Sequence, residues 1–172
     1  IQGGAGTSSN MNANEVIANR ALEISGHPRG SYAIIHPLNH VNMSQSTNDV
    51  YPTALKIALR FAIDQLLDAM IELRDAFATK AKEFADAIKM GRTQLQDAVP
   101  MTLGQEFSAF AVMLEEDTER LREAARLIVE INMGATAIGT GLNAPKGYAA
   151  LVCEHLRDLT GIDLIISPNL VE

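Results

Sequence analysis

Residues 45–89 read QSTNDVYPTALKIALRFAIDQLLDAMIELRDAFATKAKEFADAIK, and the fold turns on this stretch. Leu55, Leu59, Ala62, Leu66, Met70, Leu73, Phe77, Ala81, Phe84 and Ile88 recur at steps of three and four, the period of an α-helix. The pattern predicts one unbroken helix from about Pro52 to Lys89. Pro52 fits only the first turn, and Asn48 or Thr47 suits the N-cap. Lys56, Arg60, Asp64, Asp68, Glu72 and Asp75 form a charged stripe, read as solvated surface or i,i+4 pairs. Ala58, Phe61, Ile63, Leu67 and Ile71 widen the apolar surface, so the first half of the helix is expected to be buried on more than one side. The start of such a helix carries unpaired N–H groups and partial positive charge. Ser46, Thr47 and Asn48 there make a pocket suited to a carboxylate, although the same residues would serve as a plain cap.

Before this stretch, Ser8 or Ser9 can cap a helix ending near Ile24, with apolar Met11, Val16, Ile17, Ala21 and Leu22. Pro28, Gly30 and Pro37 mark a loop from Gly26 to Asn42. On the other side, Gly91 to Pro100 reads as a loop. A further long helix is expected from about Thr102 to Asn132, its core face marked by Leu103, Phe107, Phe110, Leu114, Leu121, Ala125 and Ile128. Residues 133–147 are Gly-rich, and a short helix from about Gly147 to Leu159 follows. No alternating strand pattern and no internal repeat is legible, so the expected class is all-α: an elongated bundle of long helices, as a single piece (1–172) of a larger chain without a separate second domain. A helix of about 38 residues is roughly 57 Å long. A compact domain of this length has a diameter of roughly 40 Å. The wide apolar faces therefore call for partners from further sequence or other subunits.

Composition narrows the function. The chain is 47% hydrophobic and 20% charged, lacks Trp and has a net charge of −7. That charge offers no basic face for nucleic acid. A single Cys153 rules out an internal disulfide and weakly favours a reducing compartment. No apolar run is long enough to span a membrane, and no signal peptide is evident.

Four polar clusters remain. Gly3-Gly4-Ala5-Gly6-Thr7-Ser8-Ser9-Asn10 lacks the Gly-Lys-Ser/Thr of a P-loop and the third Gly of the dinucleotide fingerprint. It could cradle a smaller anion. Ser46-Thr47-Asn48 opens the long helix. Gly91-Arg92-Thr93-Gln94-Leu95-Gln96-Asp97 lies between two long helices, where an ordinary connection with a Gly C-cap would look the same. Gly139-Thr140-Gly141-Leu142-Asn143 has a plain turn as its default. The Ser46 and Thr93 loops are expected at opposite ends of one helix, so a site using both would form between subunits. His36 and His40 have the i,i+4 spacing of a zinc pair, but Pro37 breaks the helix such a pair needs; no metal site is expected. His27 and His155 are expected at the surface. No Ser-His-Asp or Cys-His order is convincing.

The order of these stretches resembles the aspartase/fumarase superfamily. The resemblance is carried by Gly6-Thr7-Ser8-Ser9-Asn10-Met11-Asn12-Ala13-Asn14-Glu15, Gln45 to Asp49, Gly91 to Ala98, Leu103-Gly104-Gln105-Glu106 and Gly139 to Asn143. Five such stretches in order, across nearly the whole chain, are specific where any one is weak. Within the superfamily the chain looks most like the aspartase branch. Ala5 stands where fumarases usually carry Ser, Ser46-Thr47 where they have Ser-Ser, and Gln94 where they have a His. Some aspartases also carry His there, so Gln94 argues against fumarase more firmly than for aspartase. Leu38 replaces the Asn usual in relatives, which argues against the secondary carboxylate site near that loop in fumarases.

The resemblance implies the central helical domain of this fold and the reversible anti-elimination of ammonia from L-aspartate to give fumarate, without a cofactor. It implies that Thr7, Ser46, Thr47 and Asn48 hold the substrate's carboxylates and amino group. Thr93 and Gln94 would reach the substrate from another subunit of a cytoplasmic homotetramer. The family's base is a Ser on a mobile Gly-Ser-Ser loop, which this chain does not contain; Lys146 is not part of its equivalent. No catalytic residue is therefore assigned within the chain. The alternatives are a class II fumarase-type hydratase, another superfamily lyase, and a non-catalytic helical scaffold.

Overall fold

The computed structural model describes residues 5–172, so Gly3 and Gly4 of the first polar cluster lie outside it. The described residues divide into two compact units, one formed by those up to Leu59 and by Ile128–Glu172, the other by Arg60–Leu127. Helix α2 (Thr47–Glu83) contributes its first part to the former and the rest to the latter.

The first unit begins with α1 (Thr7–Ile24), a π-helical turn (Pro37–Val41) and the start of α2. α1 starts at Thr7 with Gly6 as its N-cap, so neither Ser8 nor Ser9 is the cap. Its buried residues are Asn10, Asn14, Ala18 and Leu22, a stripe at steps of four. The apolar Val16 and Ile17 lie off this stripe and are exposed. Gly6 has φ +92°, and a Cβ there would lie 2.3 Å from the Tyr51 ring, so the first turn of α1 sits directly on α2. After α2 and the second unit, the chain returns as β3 (Glu130–Ile131), a loop, α4 (Tyr148–Thr160) and β4 (Ile165–Ile166). β3 and β4 pair in parallel, Glu130 with Ile165 and Ile131 with Ile166. The core is Ile131, Met133, Cys153 and Leu164, packed by Val50 and Ile57 of α2 and by Val152 and Leu156 of α4. Lys56 of α2 donates its ammonium to the Glu130 carbonyl, and Arg157 donates to the Leu164 carbonyl.

The second unit holds the remainder of α2, the hairpin β1 (Ile88–Thr93) and β2 (Gln96–Thr102), and α3 (Leu103–Leu127). The hairpin corrects the loop expected at Gly91–Pro100. β1 and β2 are antiparallel, Ile88 facing Thr102 and Thr93 facing Gln96, with an irregularity between Met90 and Arg92. Its two-residue turn, Gln94-Leu95, has φ of 50° and 65°. Two left-handed residues define the turn that matches strand twist, usually signalled by Asn-Gly; Gln-Leu carries no such signal. α2 ends at Glu83 rather than Lys89, because the chain turns at Phe84 to enter β1. The Phe84 and Ala87 carbonyls then accept the N–H groups of Gly104 and Leu103, at 2.9 and 2.8 Å. α3 stops at Leu127 rather than Asn132, since Glu130 and Ile131 go into the parallel pair.

Thr102 and Gln105 cap α3 reciprocally: the Gln105 side chain accepts from the Thr102 N–H at 2.9 Å, and the Thr102 hydroxyl from the Gln105 N–H at 3.1 Å. Phe77, Phe84, Phe107 and Phe110 cluster with ring centroids 5.5–6.1 Å apart, inside the 4.5–7 Å range of favourable aromatic pairs. Gly104 permits this packing, because a Cβ there would lie 2.5 Å from the Ala81 carbonyl. Leu55, Leu59, Leu66 and Leu73, on the face expected to be core, are exposed.

Candidate functional site

The start of α2 is built by Ser46, not by the caps expected from the sequence. The Ser46 hydroxyl accepts the Asn48 N–H at 3.2 Å, and the Ser46 N–H donates to the Asp49 carboxylate at 2.9 Å. Ser46 thus caps the N2 N–H, and Asp49 at N3 reaches back to the cap N–H as the acidic residue of a capping box does. With Ser46 as the cap, Thr47 and Asn48 are released for other contacts.

Those contacts tie the helix start to its neighbours. The Asn10 amide of α1 donates to the Thr47 hydroxyl at 3.0 Å. It also approaches the Asn42 side-chain oxygen at 3.2 Å, which accepts from Asn14 at 3.0 Å. The Asn48 amide donates to the Ala137 carbonyl at 2.7 Å. Asp49, fully buried, takes the Thr136 N–H on its second oxygen at 2.9 Å. Thr136 is left-handed, with φ 59°, so this bond holds the 132–143 loop in an unusual course. Among the described residues no cation pairs with Asp49; two backbone N–H groups and the positive end of α2 offset its charge.

Pro52 lies inside α2, further from its start than the sequence reading placed it. Proline has no N–H to give the carbonyl four residues back, which here belongs to Asn48. The Asn132 side-chain amide donates to that carbonyl at 3.1 Å instead.

Ser46, Thr47 and Asn48 thus lie together at the start of α2, and Thr7 opens α1, whose Asn10 bonds Thr47 and whose Gly6 lies against Tyr51. Thr7 and Asn48 are exposed; Ser46 and Thr47 are half-buried. Ser46 also lines a cavity of about 630 Å³ with Gln45, Asn42, Thr140, Leu142 and Asn143, so the second and fourth polar clusters share one wall. Tyr148 packs against the core of this unit. Burial raises its ionisation above the ordinary tyrosine range and the Asp49 charge adds to that, against a hydrogen bond with Gln45. Thr93 and Gln94 belong to the second unit, exposed at the hairpin tip. The sequence reading missed Asn10, Asn14, Asn42, Asp49, Asn132 and Thr136 as parts of this site. Signals were present in the Ser46–Asp49 capping spacing, in Pro52 four residues past Asn48, and in two Asn opening a stripe that continues with Ala18 and Leu22.

His36 and His40 are engaged by backbone. The His36 ring accepts from the Leu38 and Asn39 N–H groups at 3.1 and 3.2 Å, and the His40 ring from the His36 N–H at 2.9 Å. The Leu38 and Asn39 N–H groups share the one Nδ1 lone pair of His36, and the His40 Nδ1 takes the His36 N–H, within the π-helical turn. Among the described residues no group of three or more His, Cys, Asp or Glu is placed to hold a metal ion, and no helix is long and apolar enough to cross a membrane.

All of residues 1–172 match the sequence family described as Lyase. The chain belongs to this lyase family. It is 57% identical to an aspartate ammonia-lyase of Helicobacter pylori, covering 100% of this chain and 37% of that protein. Against the aspartate ammonia-lyase of Pseudomonas aeruginosa the identity is 59%, over 100% of this chain and 36% of the relative. Among solved structures, a protein titled fumarate lyase:delta crystallin from Brucella melitensis bound to cobalt matches with a TM-score of 0.94 and 61% identity, over 99% of this chain and 37% of that one. A class II fumarase from Schistosoma mansoni matches with a TM-score of 0.79 and 38% identity, over 95% and 37%. The lyase chain therefore spans about 37% of the length of the relatives it resembles, and its mainly helical fold is that of the fumarate lyases.

Proposed function

We propose that the protein carrying this chain is an aspartate ammonia-lyase, eliminating ammonia from L-aspartate to give fumarate. The Cβ–H bond breaks to a base, the Cα–N bond breaks with release of ammonia, and the Cα–Cβ double bond forms. The step beside the β-carboxylate passes through an aci-carboxylate with extra negative charge. Preorganised donors aimed at its oxygens lower that barrier. In this reading Thr7, Ser46, Thr47 and Asn48 hold the carboxylates and the amino group. Thr93 and Gln94 come from a second subunit of a cytoplasmic homotetramer, and the base lies outside this chain.

The observation that carries the reading is the polarity of the α2 start. Ser46 and Thr47 each already accept a hydrogen bond, from the Asn48 N–H and the Asn10 amide. Their own protons are then the groups left to offer, which suits a carboxylate. The Asn48 amide turns its NH2 to the Ala137 carbonyl, so its oxygen faces the other way and can accept, which suits an ammonium group. Two converging helix starts add positive potential. The test is fumarate absorbance from the full-length protein, with L-aspartate and L-malate offered separately. Fumarate from aspartate alone is expected. Fumarate from malate alone would make it a hydratase, and none from either would leave another lyase or a scaffold.

A further inference from the structure

We infer that Asn10 is a positioning residue, which with Asn14 and Asn42 fixes the Thr47 hydroxyl as a hydrogen-bond donor toward substrate. The inference rests on the reading of Thr47 as a carboxylate contact. Its own evidence is a chain of hydrogen bonds whose polarity is set at one end. The Asn42 amide donates to the Gln45 carbonyl at 3.3 Å. A backbone carbonyl can only accept, so Asn42 must turn its NH2 to Gln45 and its oxygen inward. That oxygen meets Asn10 at 3.2 Å and Asn14 at 3.0 Å, and both must present NH2 groups to it. Asn14 also reaches the Asn10 oxygen, at 3.5 Å. The Asn10 amide is thereby oriented twice over, and its NH2 is the group that faces Thr47, at 3.0 Å.

A hydroxyl facing an NH2 must accept from it. The Thr47 proton is then turned away from Asn10, and no acceptor among the described residues takes it. Had Asn10 been reversed, its oxygen would draw that proton inward and leave Thr47 only a lone pair to offer a carboxylate. Asn10 and Asn14 are 6% and 4% exposed, too buried for water to scramble the arrangement. Two buried amides at the start of an otherwise apolar stripe cost desolvation that an apolar pair would avoid. A polarity-setting role gives them a reason to be there.

The test is a double-mutant cycle in a full-length protein carrying this segment, read as kcat/KM for fumarate formation from L-aspartate. Asn10→Leu keeps the branched shape at a larger volume and removes the donor; Thr47→Val keeps the shape and removes the hydroxyl. Each alone is expected to lower kcat/KM about tenfold or more, the scale of one misdirected hydrogen bond. If Asn10 acts through Thr47, Asn10→Leu costs less than about threefold in the Thr47→Val background. The same full loss in both backgrounds would overturn the inference, because Asn10 would then matter for packing alone. Asn10→Ala repeats the cycle if the leucine is not accommodated. Failure of both to keep the wild-type circular dichroism would likewise make Asn10 a structural residue. If the wild-type protein releases no fumarate from L-aspartate, the reading of Thr47 fails and this inference with it. An active wild type with an additive cycle fails the inference alone.

Discussion

At the scale of single residues, the site is held by groups that touch no substrate in the proposed reaction. Asp49 carries two backbone N–H groups from segments far apart in sequence, Ser46 and Thr136. Asp49→Ala would leave both buried donors unpaired, at about 1–3 kcal/mol each. A fall in thermal midpoint is therefore expected, together with loss of turnover. Thr47→Ala and Asn48→Ala should instead cut turnover severely while the protein stays folded, because Ser46 supplies the cap and each loses a single hydrogen bond. A drop of about 1 kcal/mol with turnover unchanged would return both to a capping role. Gly6→Ala is expected to destabilise by about 2–4 kcal/mol, since it combines a left-handed backbone with overlap of the Tyr51 ring. Tyr148 adds a pH dependence. Burial raises its ionisation above the ordinary value near ~10. The unfolded chain then loses its phenolic proton first, so this contribution to stability is complete below that pH and is lost as pH rises through the folded value. Tyrosinate absorbance of Tyr148→Phe against wild type would show the late-titrating group missing. Thr7, Ser46, Thr47 and Asn48 were legible as polar residues at helix starts. The Asn10–Asn14–Asn42 network was not, because only the meeting of α1 with the 42–47 segment shows that the Asn10 and Asn14 face is buried.

At the scale of elements, α2 was legible because a 3.6-residue period persists over its whole length, and α4 because Gly147 and Gly161 bracket an apolar run. The hairpin was not: Gln94-Leu95 lacks Gly or Asn, and β2 shows no clean alternation, most of its residues being exposed. Nor did the sequence show how α2 tolerates Pro52. The Asn132 amide replaces the missing donor, which makes the two residues a coupled pair across 80 positions. Asn132→Ala is expected to cost about 1 kcal/mol in the wild-type background. Pro52→Ala restores an N–H to the Asn48 carbonyl, so in that background Asn132→Ala should cost little. Urea unfolding of the four proteins measures the coupling. Equal costs in both backgrounds would mean that Asn132 acts only by packing.

At the scale of the whole molecule, the apolar surface of the long helices outruns what this chain covers. Leu55, Leu59, Phe61, Leu66 and Leu73 of α2 and Val112 and Met113 of α3 are exposed. Exposed apolar side chains along both helices suit an interaction surface. The proposed tetramer covers it with the same helices of other subunits, and it also brings Thr93 and Gln94 to a neighbour's Ser46 loop. These two consequences can be tested apart. Leu66→Glu with Leu73→Glu in the full-length protein puts charge on the face, and sedimentation should show smaller species with little turnover. Subunits impaired by Thr47→Val, mixed and reassembled with subunits impaired by Thr93→Val, should regain part of the wild-type rate. Some mixed sites then pair an intact Ser46 loop with an intact hairpin tip. No recovery at any mixing ratio, with mixed assembly verified, would place all six residues on one chain and remove the reason for the tetramer in catalysis. Small species that keep full turnover would do the same by the other route, leaving the apolar face to stability alone.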